Sequence, residues 1–180
     1  MSALRPLACV SFIVVAVFSR AHALEAGPRA PIRPDRPLNQ FDRSVIERVR
    51  ARAAALLDGA ECAKVLTDFN DRNGRTLEEN LEPWRVTASQ YLLQLSFVDG
   101  SRVRNCRDRL VMMATRPGMP RVFVCPAGGG QINSRLAQVE FRSGNLAEAM
   151  VIHEMLHTLG LGENPPSTFE ITQRVRDRCH

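Results

Sequence analysis

Residues 150–161 are apolar except at His153, Glu154, His157 and Thr158, with a glycine at position 160. An amphipathic surface helix alternates apolar and polar faces, whereas a helix that is apolar all round belongs in a protein interior. The run is therefore predicted to be a central, buried helix. At 3.6 residues per turn, positions 153 and 157 share one face, with their side chains one turn apart. Burying two imidazoles and a carboxylate without partners is costly, because each loses its hydrogen bonds to water. Either the fold supplies partners for all three or an ion does. The helix is expected to begin after Gly144, with Asn145 as N-cap and Glu148 as its reciprocal partner. It is expected to stop at Gly160, a residue able to take the left-handed conformation of a C-terminal cap.

Two histidines four residues apart can reach one ion, which takes nitrogen ligands at about 2.0–2.1 Å. Two imidazoles with a carboxylate suit zinc, with manganese or cobalt as alternatives. Glu154 follows the first histidine by one residue, so it points beside the ion. That position suits a general base taking a proton from water held at the metal. A catalytic zinc usually has three protein ligands and one open position. Glu163, six residues after His157 and beyond the predicted helix break, is the first choice for the third. Glu170 is its rival from the last helix, although Ser167 and Glu170 also read as a capping box, and His180 is a more distant candidate. The plain alternative is an ordinary buried helix whose Glu154 pairs with an arginine. After removal of the leader described below, only three histidines remain, and two of them fall at this spacing.

The segment His153-Glu154-Met155-Leu156-His157 resembles the active-site helix of the zincin metallopeptidases, His-Glu-x-x-His. Continued to Gly160 and Glu163, it looks like the metzincin-type extension, with glutamate where metzincins commonly have histidine. The resemblance covers about residues 145–163. It implies that His153, His157 and Glu163 bind zinc and that Glu154 is base and then acid in peptide hydrolysis. It also implies a substrate lying along an edge strand above the metal. One feature departs from it: metzincins carry a methionine turn after the metal motif, and no methionine follows Met155.

Residues 1–23 read as a secretory signal peptide: Arg5 in the n-region, an apolar stretch over residues 7–18, and Ala21-His22-Ala23 as cleavage site. The apolar stretch is shorter than the roughly 20 residues a bilayer span needs, so no stable membrane insertion is expected after cleavage. The leader holds Arg5 and Arg20 and no acids, so the chain's 24 basic and 19 acidic residues become 22 and 19, a surplus of +3. Spread thinly and without a basic block, that surplus gives no case for nucleic-acid binding. Cys9 leaves with the leader, and Cys62, Cys106, Cys125 and Cys179 remain. An even number in an exported domain predicts two disulfides, in a secreted or periplasmic setting. Of three possible pairings, Cys106 with Cys125 and Cys62 with Cys179 are preferred. The absence of a close Cys-x-x-Cys pair argues against cysteine as metal ligand.

Pro28, Pro31, Pro34 and Pro37 recur every third residue, the polyproline II period, so residues 24–43 are expected to be an extended arm. Residues 44–180 then form the domain. Helices are predicted from Ser44 to near Gly59 and over residues 62–69, and a turn over residues 70–74. Strands are predicted over residues 91–98, with a hairpin at Asp99-Gly100 returning over 102–105, and over 110–115 and 121–125 around Pro117-Gly118. Residues 135–142 read as strand or helix. Trp84 is expected in the core, and Tyr91, the one tyrosine, as packing or an oxyanion donor. A final helix starts at Ser167. The fold class expected is α+β and zincin-like: a small, mainly antiparallel sheet packed on a central metal-binding helix, flanked by N- and C-terminal helices. The function expected is a secreted zinc metallopeptidase acting on peptide or protein substrates. The alternative is an exported domain that keeps zinc for stability without catalysis, and a weaker one is a disulfide-held inhibitor or adhesin with a coincidental motif.

Overall fold

The computed structural model describes residues 35–128, 133–142 and 145–180. The expected leader and residues 24–34 of the arm lie outside the described residues. Extended chain runs from residue 35 to Asn39, whose side chain accepts from the Asp42 amide and starts α1 at Gln40–Leu57. The helix thus begins four residues before the predicted Ser44, because an asparagine cap outranks the apolar pattern as a start signal. Val45, Val49 and Ala53 on its inner face are fully buried.

Short helices follow: α2 at Ala60–Ala63 with one 3-10 turn over Lys64–Leu66, then α3 at Leu77–Leu81. The sequence reading passed over α3, although Thr76 and Glu79 form the reciprocal capping box that announces it. The expected strand at residues 91–98 is instead α4, Ala88–Gln94, followed by β1, Ser96–Asp99. Thr87 and Gln90 make a second capping box there and override the strand-forming side chains of Tyr91 and Leu92. Trp84 is about half exposed (47%), edge-on to the buried Tyr91 at 5.2 Å, so Tyr91 is a core residue and Trp84 only its lid.

The sheet has three strands in the order β1-β3-β2, with β2 at Met113–Thr115 and β3 at Arg121–Val124. The pairing is mixed, which corrects the mainly antiparallel expectation. β2 runs antiparallel to β3 around the Pro117-Gly118 turn as predicted, but β1 pairs with β3 in parallel, Ser96 opposite Arg121 and Asp99 opposite Val124. No hairpin forms at Asp99-Gly100, and residues 102–105 are not a strand. Gly100 serves close approach: a Cβ there would stand 2.6 Å from Cys106 Sγ and 2.9 Å from the Val124 carbonyl oxygen. Beside β1, the Asp99 amide donates to Arg36 O at 3.0 Å, and Asp35 pairs with Arg121. The arm thereby covers one sheet edge, whereas β2 has no strand on its other side among the described residues.

Residues 135–142 resolve as helix, α5 at Arg135–Glu140, capped by Ser134. The central helix α6, Leu146–Thr158, is buried from Ala147 to its end, as its composition requires. Its N-terminal cap differs from expectation: Asn145 makes no side-chain capping bond, and Glu148 pairs with Arg52 of α1 instead. A buried carboxylate gains more from a guanidinium than from a backbone amide. The last helix, α7, Thr168–Arg178, starts with the predicted Ser167–Glu170 box. Both preferred disulfides form: Cys62–Cys179 joins α2 to the end of α7, and Cys106–Cys125 joins the loop after β1 to the end of β3. The architecture is α+β, a small mixed sheet with seven α-helices among the described residues. Among them, no helix is long and apolar enough to cross a membrane.

Candidate metal centre

Gly160 ends α6 with φ at +109°, the conformation that only glycine adopts cheaply. The turn is a Schellman cap: the Gly160 amide donates to His157 O (2.9 Å) and the Leu161 amide to Leu156 O (3.2 Å). It also brings the Leu161 carbonyl onto the metal motif, where it accepts from His157 Nδ1 at 2.7 Å. A carbonyl can only accept, so Nδ1 carries the proton and Nε2 presents a lone pair. His153 Nδ1 lies 3.0 Å from the hydroxyl of Thr172 on α7, leaving its Nε2 turned the same way. The two Nε2 atoms are 3.1 Å apart.

Beyond the turn the chain doubles back, and Glu163 Oε1 comes within 3.6 Å of His153 Nε2 and 3.5 Å of His157 Nε2. Two ligand atoms each about 2.05 Å from one ion at a tetrahedral angle sit roughly 3.3 Å apart. The observed triangle of 3.1, 3.5 and 3.6 Å therefore fits a single ion. The His153, His157 and Glu163 group could hold a metal ion. A metal-binding histidine normally donates its other ring N–H to a fixed acceptor, the role available to Leu161 O and Thr172 Oγ1. Burial lowers the pKa of His157, favouring the neutral imidazole a metal requires. The His153 side chain, aided by the Thr168 hydroxyl, holds the Glu163 carboxyl down at about 2 against the opposing effect of burial.

Glu154 stands next to this group in a different environment. It is 5% exposed, and its Oε2 is buried with no hydrogen-bond partner. Burial first, and the Glu163 charge second, push its carboxyl up to about 8. Two glutamates nine residues apart are thus driven in opposite directions, Glu163 towards its charged form and Glu154 towards its protonated form.

His153, Glu154, His157 and Glu163 line one cleft of about 710 Å³. The cleft is also lined by β2, Met113 to Thr115, with the preceding loop. Gly118, in the turn after β2, donates its amide to His157 O at 3.1 Å, which fixes the end of the strand to the end of the metal helix. Buried Arg135 anchors the loop from behind, its guanidinium donating to the carbonyls of Asp108, Val111 and Cys106. The Cys106–Cys125 bridge holds the same loop to β3.

Of the sequence candidates, the structure brings His153, His157 and Glu163 together with Glu154 beside them. Glu170 stays in its capping box, its Oε2 accepting from the Ser167 amide and hydroxyl at 2.7 Å each. His180 is exposed at the C-terminus and outside the group. The supporting residues Thr168, Thr172 and Arg135 escaped the sequence reading. The two threonines carry a faint signal, since they lie four apart on the α7 face that follows the capping box; Arg135 carries none. No protein family, curated protein or solved structure matches this chain, so the site stands on its own geometry.

Proposed function

We propose that this protein is an exported, zinc-dependent peptidase of zincin type. The observation that carries the reading is the donor triangle of His153, His157 and Glu163 beside an unpartnered, buried Glu154 at the wall of an open cleft. Nitrogen and carboxylate donors at this spacing favour zinc. The ion would supply Lewis acidity towards a substrate carbonyl and towards water. Among the described residues the group contains no fourth protein ligand, and Glu170, the residue that would close it, is occupied elsewhere. An open position facing a cleft distinguishes a catalytic from a structural zinc.

The chain's own residues do the rest. Glu154 takes a proton from the attacking water as its oxygen bonds to the peptide carbonyl carbon. It returns that proton to the nitrogen as the C–N bond breaks. A group whose pKa lies near neutrality serves both transfers. Thr172 and Leu161 O keep the imidazoles oriented, and Thr168 steadies Glu163. The unpaired edge of β2 suits an extended peptide, which can add a strand there. The signal-like leader and two disulfides support a secreted or periplasmic site of action.

The test uses mature, oxidised protein. Metal analysis should find about one zinc per chain, and a broad peptide library should be hydrolysed. Glu154→Gln should abolish turnover and keep the metal, while His157→Ala should lose both. Zinc-loaded protein that cleaves no peptide would overturn the reading in favour of a zinc-stabilised structural domain.

A further inference from the structure

Two arginines, Arg72 and Arg104, line the cleft, and no ion pair joins either to another described residue. An exposed arginine usually points into solvent, but the Arg72 loop carries this one to the wall of the cleft. The Asp71 carboxylate accepts from the Asn73 and Arg75 amides (2.8 and 3.0 Å), folding residues 70–76 into a tight turn. Its second oxygen accepts from Asn80 Nδ2 at 2.9 Å, and the same amide group donates to Leu159 O at 3.0 Å. One asparagine thus clamps the loop to the end of α6. The Arg72 side chain then lies against Gly162, its Nε 3.2 Å and its Nη2 3.9 Å from where a Cβ would stand. Any side chain at 162 would press on that guanidinium, and Glu163 is the next residue.

None of the acidic groups that line the cleft forms an ion pair with either arginine. Glu163 faces the histidines, Glu154 is buried, and Asp108 accepts from the Leu110 amide at 2.9 Å. The same cleft also carries the apolar side chains of Leu110, Met112, Met113 and Met150. A planar guanidinium in the cleft wall can meet a carboxylate with two parallel hydrogen bonds.

We propose that the cleft selects a peptide bearing a carboxylate next to the cleaved bond, with Arg72 as the specificity-determining residue and Arg104 adding to the positive field. The proposal rests on the peptidase reading for its cleavage step, but not for recognition of the carboxylate. The carboxylate comes either from an Asp or Glu side chain or from the peptide's own C-terminus, and both present the same chemistry to Arg72.

Three peptide sets of one sequence separate these cases: an internal Asp or Glu with an amidated end, a neutral peptide with a free C-terminus, and a neutral amidated peptide. The wild-type protein should cleave one carboxylate-bearing set with kcat/KM about 10- to 100-fold above the neutral amidated set, the range of a charge-assisted hydrogen bond. Arg72→Glu should collapse that ratio towards or below one, and Arg72→Lys should retain part of it. Independently, calorimetry with the Glu154→Gln protein should show the carboxylate peptide binding more tightly than its neutral partner. That preference should weaken with salt and vanish in the Arg72→Glu, Glu154→Gln double variant. Equal cleavage of all three sets, or a preference unchanged in Arg72→Glu, would overturn the proposal. Binding preference without hydrolysis of any set would overturn the peptidase reading and leave this one standing. Arg72 is exposed, and zinc content with circular dichroism will verify that each variant is folded; should Arg72→Glu fail that check, Arg72→Lys and Arg104→Glu carry the same comparison.

Discussion

Replacing Glu154 by glutamine tests the buried environment of this carboxyl separately from any catalytic role. In metal-free protein, burial and the Glu163 charge raise the Glu154 pKa from an ordinary 4.5 to about 8. Between those values the folded chain keeps a proton that the unfolded chain releases. Stability tied to this group is therefore complete below pH 4.5 and falls as pH rises towards 8. Each unit removes about 1.4 kcal/mol, so the whole interval amounts to about 5 kcal/mol. Glutamine has the same shape and never ionises. The two proteins should thus be almost equally stable at pH 4, with the variant ahead by about 5 kcal/mol near pH 8.5. Urea unfolding of both, in chelator with disulfides intact, measures the gap across this range. The contribution of His157 is common to both curves and cancels in the difference, and the Glu163 charge enters it only through the shift it gives Glu154. Parallel curves, with a gap constant to within about 1 kcal/mol, would show that Glu154 is solvated, and the argument from its orphaned oxygen would fail.

Thr172→Val removes the hydrogen-bond partner of His153 Nδ1 while preserving side-chain volume. Loss of such an outer partner typically lowers metal affinity about 10- to 100-fold, so competition with a chelator should register that loss with the fold intact. The Cys62–Cys179 bridge spans 117 residues and Cys106–Cys125 only 19. In the chain-entropy account, removing the first by paired alanines should destabilise by about 5 kcal/mol and the second by about 3 kcal/mol. Calorimetric unfolding that ranks them the other way would show that the shorter bridge braces the folded cleft wall beyond its effect on the unfolded chain.

The recoverable parts of this structure are those set within one or two turns of chain. Gly160 follows an apolar helix, and its left-handed cap is where the sequence puts it, because only a glycine takes φ of +109° without strain. The Ser167–Glu170 box formed as read, and so did the turn at Pro117-Gly118. The failures at residues 91–94 and at Asn145 are failures of competition. Thr87 and Gln90 could cap a helix, and Arg52 could outbid a backbone amide for Glu148. The strand partner of β1 was illegible because parallel pairing joins segments 25 residues apart through a close approach at Gly100.

By itself, the sequence determined that two imidazoles would share a helical face, that this helix would be interior, and that the chain would turn sharply behind it. Helical period, apolar composition and a glycine cap act over a few residues and need no other part of the molecule. The sequence already favoured Glu163, because the Ser167–Glu170 box gave Glu170 a local partner, but only tertiary structure brought Glu163 Oε1 back to 3.6 and 3.5 Å from the two imidazoles. Tertiary structure alone placed Thr172, Arg135 and Arg72 around the cleft. Contacts across 19 to 90 residues depend on how whole elements pack, and no local period or propensity encodes that packing.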